Sequence, residues 1–133
     1  MLNLNAGQIA LPLERIVVMR PTDLLRNAIE QMSEKKLGIS CIVSDEKLVG
    51  VFTDGDIRRM LLRDHRPFAA LFSEDIANFM TSHPKTVHPS MLLRDAVVYM
   101  EQNDVLDLPI VDTNGRLVGL LHLHTALKNL LNI

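Results

Sequence analysis

A short stretch in the first half of the chain carries the side chains best suited to binding an anion. An apolar run at 48–52 ends at Thr53, and apolar residues follow at helical spacing at positions 57, 60 and 61. This pattern predicts a strand that leads directly into a helix. The first turn of a helix has free backbone N–H groups and a partial positive charge, so it suits a phosphate or a carboxylate.

The side chains of this junction suit the same kind of ligand. Gly55 leaves the backbone open to close approach, and Arg58 and Arg59 supply fixed positive charge. Asp56 can accept hydrogen bonds from sugar hydroxyls. Thr53 and Asp56 also have the spacing of a variant capping box, so a purely structural role at the helix start is the alternative.

The elements around this junction can be predicted from periodicity and turn residues. A strand is predicted at 39–43 and is joined to the strand at 48–52 by a tight polar turn, so the two should be antiparallel neighbours. A connector at 63–75 contains Phe68, Leu71 and Phe72, which indicates that it packs. A short strand at 16–19 precedes a helix capped by Thr22, whose apolar face is Leu24, Leu25, Ala28, Ile29 and Met32.

The second half of the chain repeats the first. Residues 21–28 match 89–96 at a separation of 68, and residues 48–52 match 117–121 at a separation of 69, which places one inserted residue near Gly115. An insertion is best tolerated in a turn. Each copy is too small to bury its apolar face well alone. We therefore predict an α+β fold of two β-α-β-β-α units, 12–72 (with the connector) and 73–133, packed about a pseudo-twofold axis.

The duplicated unit, with the string Gly-Val-Phe-Thr-Asp-Gly-Asp at 50–56, resembles a tandem cystathionine-β-synthase (CBS) domain pair, also called a Bateman module, from about residue 12 to the end. The resemblance implies two clefts between the repeats that bind adenine nucleotides or other small anions. It also implies that Thr53 meets the phosphate and Asp56 the ribose.

The longer string at 52–59, together with His-Leu-His at 122–124, is similar to the C-terminal half of bacterial arabinose-5-phosphate isomerases, in which a sugar isomerase domain precedes a CBS pair. That family supplies the precursor of Kdo, a lipopolysaccharide sugar. The resemblance implies a regulatory module without catalytic activity of its own, whose ligand is AMP, ATP or a sugar nucleotide of the CMP-Kdo type. It needs no cofactor for this role. The alternatives are an architectural oligomerisation module with vestigial clefts, or the CBS pair of a sugar nucleotidyltransferase.

The second junction departs from the first. His122, Leu123, His124 and Thr125 stand where the first copy has residues 53–56, so two equivalent nucleotide sites are not expected. The two histidines can bind phosphate when protonated, coordinate a metal or make ordinary hydrogen bonds, and two are too few to predict a metal site. No catalytic residue is predicted, and the first junction should be the better anion site. The predicted ligand-binding residues are Thr53, Asp54, Gly55, Asp56, Arg58, Arg59, His122, His124 and Thr125.

Composition limits the remaining function classes. Apolar residues make up 47% of the 133 residues and aromatic residues 4%, which predicts an aliphatic core, and the net charge of −2 gives no sign of a nucleic-acid or membrane surface. The single cysteine, Cys41, lies in a buried-type strand and fits a reducing compartment. The sequence has no leader-like start and no apolar run near 18 residues, so a cytoplasmic location is expected.

Burial and assembly complete the expectations. The helix stripes cannot all be hidden within one chain of this size, so a homodimer through helix faces is expected. The residues expected to be largely buried are Leu25, Ala28, Ile29, Met32, Ile42, Val43, Val49 and Val51 in the first copy, and Leu93, Ala96, Val97, Met100, Ile110, Val111, Val118 and Leu120 in the second.

Overall fold

A computed structural model describes residues 3–131 of the chain, which form two compact units. We call residues 14–84 the first-repeat unit, and residues 3–13 with 85–131 the second-repeat unit. Helices and strands occur in both, which confirms the predicted α+β class. The elements are the helices α1 (Ala6–Ile9), α2 (Leu25–Lys35), α3 (Asp54–Arg63), α4 (Phe68–Phe72), α5 (Leu93–Gln102) and α6 (Leu123–Leu131), the strands β1 (Val18–Met19), β2 (Ile39–Ser44), β3 (Lys47–Thr53), β4 (Thr81–Ser82), β5 (Asp107–Val111) and β6 (Leu117–His122), and 3₁₀ turns at Leu13–Arg15 and Ile76–Asn78.

The first-repeat unit contains a four-stranded sheet in the order β1-β2-β3-β4. Strand β1 is parallel to β2, and β2 and β3 are antiparallel neighbours, as the short turn between them predicts. Asp45 and Glu46 form that turn with φ of 52° and 66°, the left-handed backbone of a tight two-residue hairpin. The predicted β-α-β-β-α unit has three strands. The fourth strand, β4, is two residues long and pairs with Gly50 and Val51, which is too short a segment to show a strand pattern.

The second-repeat unit repeats these pairings with fewer ladder hydrogen bonds. Strands β5 and β6 are antiparallel. Val87 bridges Ile110 in parallel, as β1 pairs with β2, and Leu11 bridges Leu120 in antiparallel fashion, as β4 pairs with β3. Gly115, with φ of 82°, lies in the turn between β5 and β6, where the inserted residue was predicted.

The helices α2 and α5 begin differently from the prediction. Thr22 does not cap α2: its N-cap is Leu24, which makes no side-chain cap hydrogen bond. Instead, the backbone N–H of Leu25 donates to the carbonyl of Glu74 at 2.9 Å. Helix α5 begins in the same way, because the N–H of Leu93 donates to the carbonyl of Leu4 at 2.8 Å. In each unit a carbonyl from a distant backbone segment accepts from the first N–H of the helix, which meets one of the hydrogen bonds that a helix start leaves open.

Each unit has its own apolar core, and the expected core residues mostly lie in it. Val118 is the exception, because it is 40% exposed between the buried Leu117 and Gly119, on the opposite face of β6. Ile29, Val43, Val49, Val97 and Val111 are half-buried. The expected residues that are buried are Leu25, Ala28, Met32, Ile42 and Val51 in the first-repeat unit, and Leu93, Ala96, Met100, Ile110 and Leu120 in the second-repeat unit.

The segment that precedes each repeat in the chain belongs to the compact unit of the other repeat. Ile76 and the connector residue Leu71 are fully buried in the core of the first-repeat unit, and Ala6 is fully buried in the core of the second-repeat unit. Phe68 is 60% exposed, and its ring stacks on that of Phe72 with centroids 6.0 Å apart. The compact units thus divide the chain differently from the predicted repeats 12–72 and 73–133. Those bounds describe the duplicated sequence and stay a prediction.

Candidate functional site

The first junction has the predicted local structure. Strand β3 ends at Thr53 and helix α3 begins at Asp54. The Thr53 hydroxyl accepts a hydrogen bond from the N–H of Asp56 at 3.3 Å, and the Asp56 carboxylate accepts one from the N–H of Thr53 at 2.9 Å. These reciprocal hydrogen bonds form a capping box, so the capping role considered for this pair is present in the structure.

The carboxylate of Asp56 accepts hydrogen bonds from several directions. Its side chain is only 7% exposed. Oδ2 accepts from the backbone N–H and, at 3.2 Å, from the hydroxyl of Thr53, while Oδ1 accepts from Nη2 of Arg59 at 2.6 Å and from the hydroxyl of Thr81 at 2.8 Å. A carboxylate has about four acceptor positions, so these donors fill it. A ligand hydroxyl that bonds to Asp56 must therefore replace one of them, and Thr81 and Arg59 are the two exposed donors.

The two arginines of the junction differ in their surroundings. The guanidinium of Arg59 lies over Gly55, where an added Cβ would meet Nη1 at 3.4 Å. The space that a glycine opens at this point is thus taken up by Arg59 in this structure. Arg58 is exposed and makes no ion pair among residues 3–131, so its charge is available to an anion.

Asp54 is placed apart from Asp56. Its N–H donates to the carbonyl of Gly38 at 3.0 Å, and an added Cβ on Gly38 would lie 2.6 Å from its Oδ2. A cavity of about 310 Å³ opens beside this contact between α2 and α3. It is lined by Ile29, Met32, Ser33, Lys36, Leu37, Gly38, Asp54 and Ile57. Of the predicted site residues, the structure brings together Thr53, Gly55, Asp56 and Arg59, and turns Asp54 toward this cavity.

A charged network follows the end of α3. Arg66 donates to both carboxylate oxygens of Asp64, with Nη2 to Oδ2 at 2.6 Å, and pairs through Nη1 with Glu74. These hydrogen bonds lower the pKa of Asp64 from 3.8 to about 2. Since Asp64 follows α3 and Glu74 precedes the 3₁₀ turn at Ile76–Asn78, the network joins the two ends of the connector.

The second junction is built on a different pair. Strand β6 ends at His122 and helix α6 begins at Leu123. Nδ1 of His122 lies 2.7 Å from Oδ1 of Asp107, the residue directly opposite it on β5. His124 is exposed, and Thr125 is half-buried with its carbonyl accepting from Asn129. Three ligand-binding residues were predicted at this junction, and for His122 the structure shows a side-chain partner, Asp107.

Sequence reasoning missed two residues of these junctions. Thr81 is 25 residues from Asp56, and only the β3–β4 pairing brings it to the carboxylate. Asp107 is 15 residues from His122. A signal for Asp107 was available in the sequence. When the two repeats are aligned, this charged residue occupies the position that Ile39 has in the first copy, at the start of an apolar strand.

Two kinds of site find no support in the described part of the chain. Across residues 3–131, the histidine, cysteine and acidic side chains form no group of three or more suited to a metal ion. Within residues 3–131, no helix is both long enough and apolar enough to cross a membrane.

Known proteins resemble this chain in sequence. The chain is 31% identical over 113 residues to the arabinose 5-phosphate isomerase KdsD of Francisella tularensis subsp. tularensis, covering 85% of this chain and 33% of that protein. It is 38% identical over 107 residues to KdsD of Pseudomonas aeruginosa, covering 78% of this chain and 31% of that protein. The chain thus spans about a third of the length of these isomerases.

Comparison of folds and of family patterns points the same way. The crystal structure of CBSX2 in complex with AMP superposes with a TM-score of 0.84 at 25% identity, over 97% of each chain. CBSX2 is a CBS-pair protein from Arabidopsis thaliana. The CBS domain pattern matches residues 6–63 and again residues 74–132. With two matches that cover most of the sequence and a fold that agrees along nearly its whole length, this chain belongs to the CBS domain family, as a tandem pair.

Proposed function

We propose that this chain is a regulatory module that senses a nucleotide or a sugar nucleotide. The observation that carries the proposal is the agreement over 97% of the chain with a CBS pair that was crystallised with AMP. Regulation requires more than binding, because a ligand shifts a conformational equilibrium only when its affinity differs between the two states. AMP, ATP and a nucleotide of the CMP-Kdo type are the ligands to consider.

The proposed host is an arabinose 5-phosphate isomerase of Kdo and lipopolysaccharide precursor synthesis in the cytoplasm. Support comes from two KdsD proteins that match this chain over about a third of their own length. In such a host, residues outside this stretch carry out the isomerisation, and the CBS pair changes their activity. No catalytic activity is then expected from this chain alone.

We propose the first junction as the stronger phosphate site. In the first turn of α3 the N–H groups of Asp54 and Asp56 already have acceptors, so the backbone N–H of Gly55 is the one offered to a phosphate. Arg58 adds an exposed positive charge without an ion-pair partner in residues 3–131. Arg59 can reach a phosphate by exchanging its hydrogen bond to Asp56. Asp56 contacts a ribose hydroxyl when the ligand displaces Thr81 or Arg59. His122, His124 and Thr125 are the corresponding contacts of the second junction.

An architectural module that dimerises its host is the second candidate, and two observations favour it. Asp56 already accepts from four donors, as a purely structural cap does. Helix residues also leave apolar side chains exposed, which a homodimer through helix faces can bury. The exposed apolar residues on α3, α5 and α6 are Leu61, Leu62, Val98, Leu127, Leu130 and Leu131.

Calorimetry with AMP, ATP and CMP-Kdo separates the two candidates. A sensor binds at least one of them, and Arg58→Gln weakens that binding by about tenfold through loss of a charge-assisted hydrogen bond. Arg63→Gln, an exposed arginine in the last turn of the same helix, is the matched control and leaves the affinity unchanged.

Sedimentation of the same samples tests the architectural candidate. Absence of binding to all three nucleotides, together with a stable dimer, supports the architectural candidate over the sensor. A strict monomer at roughly tens of micromolar contradicts the homodimer.

A further inference from the structure

Asp107 and His122 form a carboxylate–imidazole pair at the second junction. They face each other across the first position of β5 and the last position of β6, with Nδ1 and Oδ1 2.7 Å apart. The Asp107 side chain is 11% exposed and the His122 side chain 35% exposed. At the matching register, the first-repeat unit has Ile39 opposite Thr53, so this pair has no counterpart there.

The pair determines which ring nitrogen of His122 faces a ligand. A carboxylate oxygen accepts a hydrogen bond, so Nδ1 carries the hydrogen. Among residues 3–131, Nε2 makes no hydrogen bond. The neutral imidazole therefore presents Nε2 as an acceptor, and a second proton converts Nε2 into a positively charged donor.

The helix start beside His122 lacks the acidic residues of the first junction. Asp107 on β5 is the carboxylate that faces His122, and it is already bonded to Nδ1. The first turn of α6 carries no acidic residue, whereas the first turn of α3 carries Asp54 and Asp56. Helix α1, packed beside β6, has the sequence Ala-Gly-Gln-Ile and no titratable side chain. The charged and histidine side chains of the neighbouring helices are exposed: His124 and Lys128 on α6, and Arg94, Asp95 and Glu101 on α5; Tyr99 on α5 is half-buried.

From this geometry we infer that Asp107 orients His122 as a phosphate contact of the second-repeat unit, and that the contact forms when Nε2 is protonated. The inference rests on the proposed function, and it specifies the ligand group and the condition for binding it. Asp107 is a positioning residue, because it acts through His122. The second repeat then recognises the phosphate of a nucleotide with an imidazolium, where the first repeat uses a helix start and arginine. Histidine changes charge between roughly pH 5 and pH 8, so this contact strengthens as the pH falls.

Two measurements on the whole chain test the inference. The first is nitrogen NMR of the His122 ring without ligand, which identifies the ring nitrogen that bears hydrogen. We expect the Nδ1–H form in the wild type and loss of this preference in Asp107→Asn. The second is titration with AMP and with adenosine at about pH 6 and about pH 8, for the wild type, His122→Gln and the control His65→Gln, an exposed histidine of the connector outside both junctions.

At the lower pH, we expect the wild type to bind AMP about tenfold more tightly than His122→Gln does. Adenosine, which has no phosphate, should show no such difference between the two proteins. The phosphate of AMP also titrates near pH 6, and comparison with His122→Gln removes this contribution because the ligand is the same. His65→Gln should behave as the wild type.

An Nε2–H form in the wild type overturns the inference regardless of ligand. Equal pH dependence in the wild type and His122→Gln also overturns it, while leaving nucleotide binding intact. Failure of AMP to bind any of the chains at either pH instead overturns the AMP ligand of the proposed function and, with it, the phosphate contact. In that case the NMR result still decides whether Asp107 fixes the ring.

Discussion

At the first strand-to-helix junction the carboxylate lies within the helix turn itself, and at the second it lies on the neighbouring strand. Asp56 closes a capping box with Thr53 and also holds Arg59 and Thr81. Asp107 instead holds the imidazole of His122. The backbone is alike in the two cases, a strand ending where a helix begins. A duplicated unit can thus keep its fold while its two junctions acquire different charge and different ligand chemistry.

The backbone likeness can be tested at Gly50 and Gly119, which occupy matching positions in the two copies. An added Cβ would lie 2.9 Å from the carbonyl oxygen of Thr81 at Gly50, and 2.9 Å from that of Leu11 at Gly119. Because a backbone atom must move in each case, we expect Gly50→Ala and Gly119→Ala each to lower the free energy of unfolding by about 1–3 kcal/mol. Denaturant unfolding measures both.

Gly55→Ala is the control for this pair. Its added Cβ would meet the end of the Arg59 side chain at 3.4 Å, an ordinary contact, and alanine favours a helix, so no loss of stability is expected. A large loss at only one of Gly50 and Gly119 would break the likeness of the two units.

The difference between the junctions can be tested at Asp56 and Thr125, which occupy the same place in the two copies. Asp56→Ala removes the cap and its hydrogen bonds, and we expect it to lower the free energy of unfolding by about 1–2 kcal/mol. Thr125→Ala removes no carboxylate, and we expect a change within about 0.5 kcal/mol.

Nucleotide affinity measured on the same Asp56→Ala protein separates its two roles. A ligand role predicts a loss of about 1–3 kcal/mol in binding as well as the loss of stability. Unchanged affinity assigns Asp56 to the helix cap alone. The carboxylate of the first junction would then be structural, in contrast to ligand binding at the second junction.

The smallest effect is expected at the charged network of the connector, which follows the first junction's helix. The pKa of Asp64 is lowered from 3.8 to about 2 by its hydrogen bonds to Arg66. A carboxyl whose pKa is lower in the folded chain stabilises the fold above its ordinary pKa, and this contribution is lost as the pH falls through the folded value. We therefore expect Asp64→Asn to lower stability slightly above about pH 4, with the difference from the wild type disappearing near pH 2.

Thermal unfolding across this pH range checks the prediction. Asp45→Asn, an exposed residue in the β2–β3 turn whose left-handed backbone suits asparagine, is the control and should follow the wild type. A stability difference for Asp64→Asn that persists at pH 2 contradicts the assignment to this ion pair.

The sequence by itself determined the features that depend on neighbours a few residues apart or on repetition. The duplication was readable from matching strings, the β2–β3 hairpin from its polar turn, and the capping box from the spacing of Thr53 and Asp56. Such features need only contacts at i+3 or i+4, or an alternation along one strand, so local chemistry encodes them.

The tertiary structure decided what depends on partners distant in the chain. Helix α2 begins not at Thr22 but after Leu24, where the carbonyl of Glu74 accepts from the N–H of Leu25. Thr81 reached Asp56 and Asp107 reached His122 only through strand pairing. The physical reason is register: a strand pair fixes which side chains meet across it, and no local pattern in either strand contains that information.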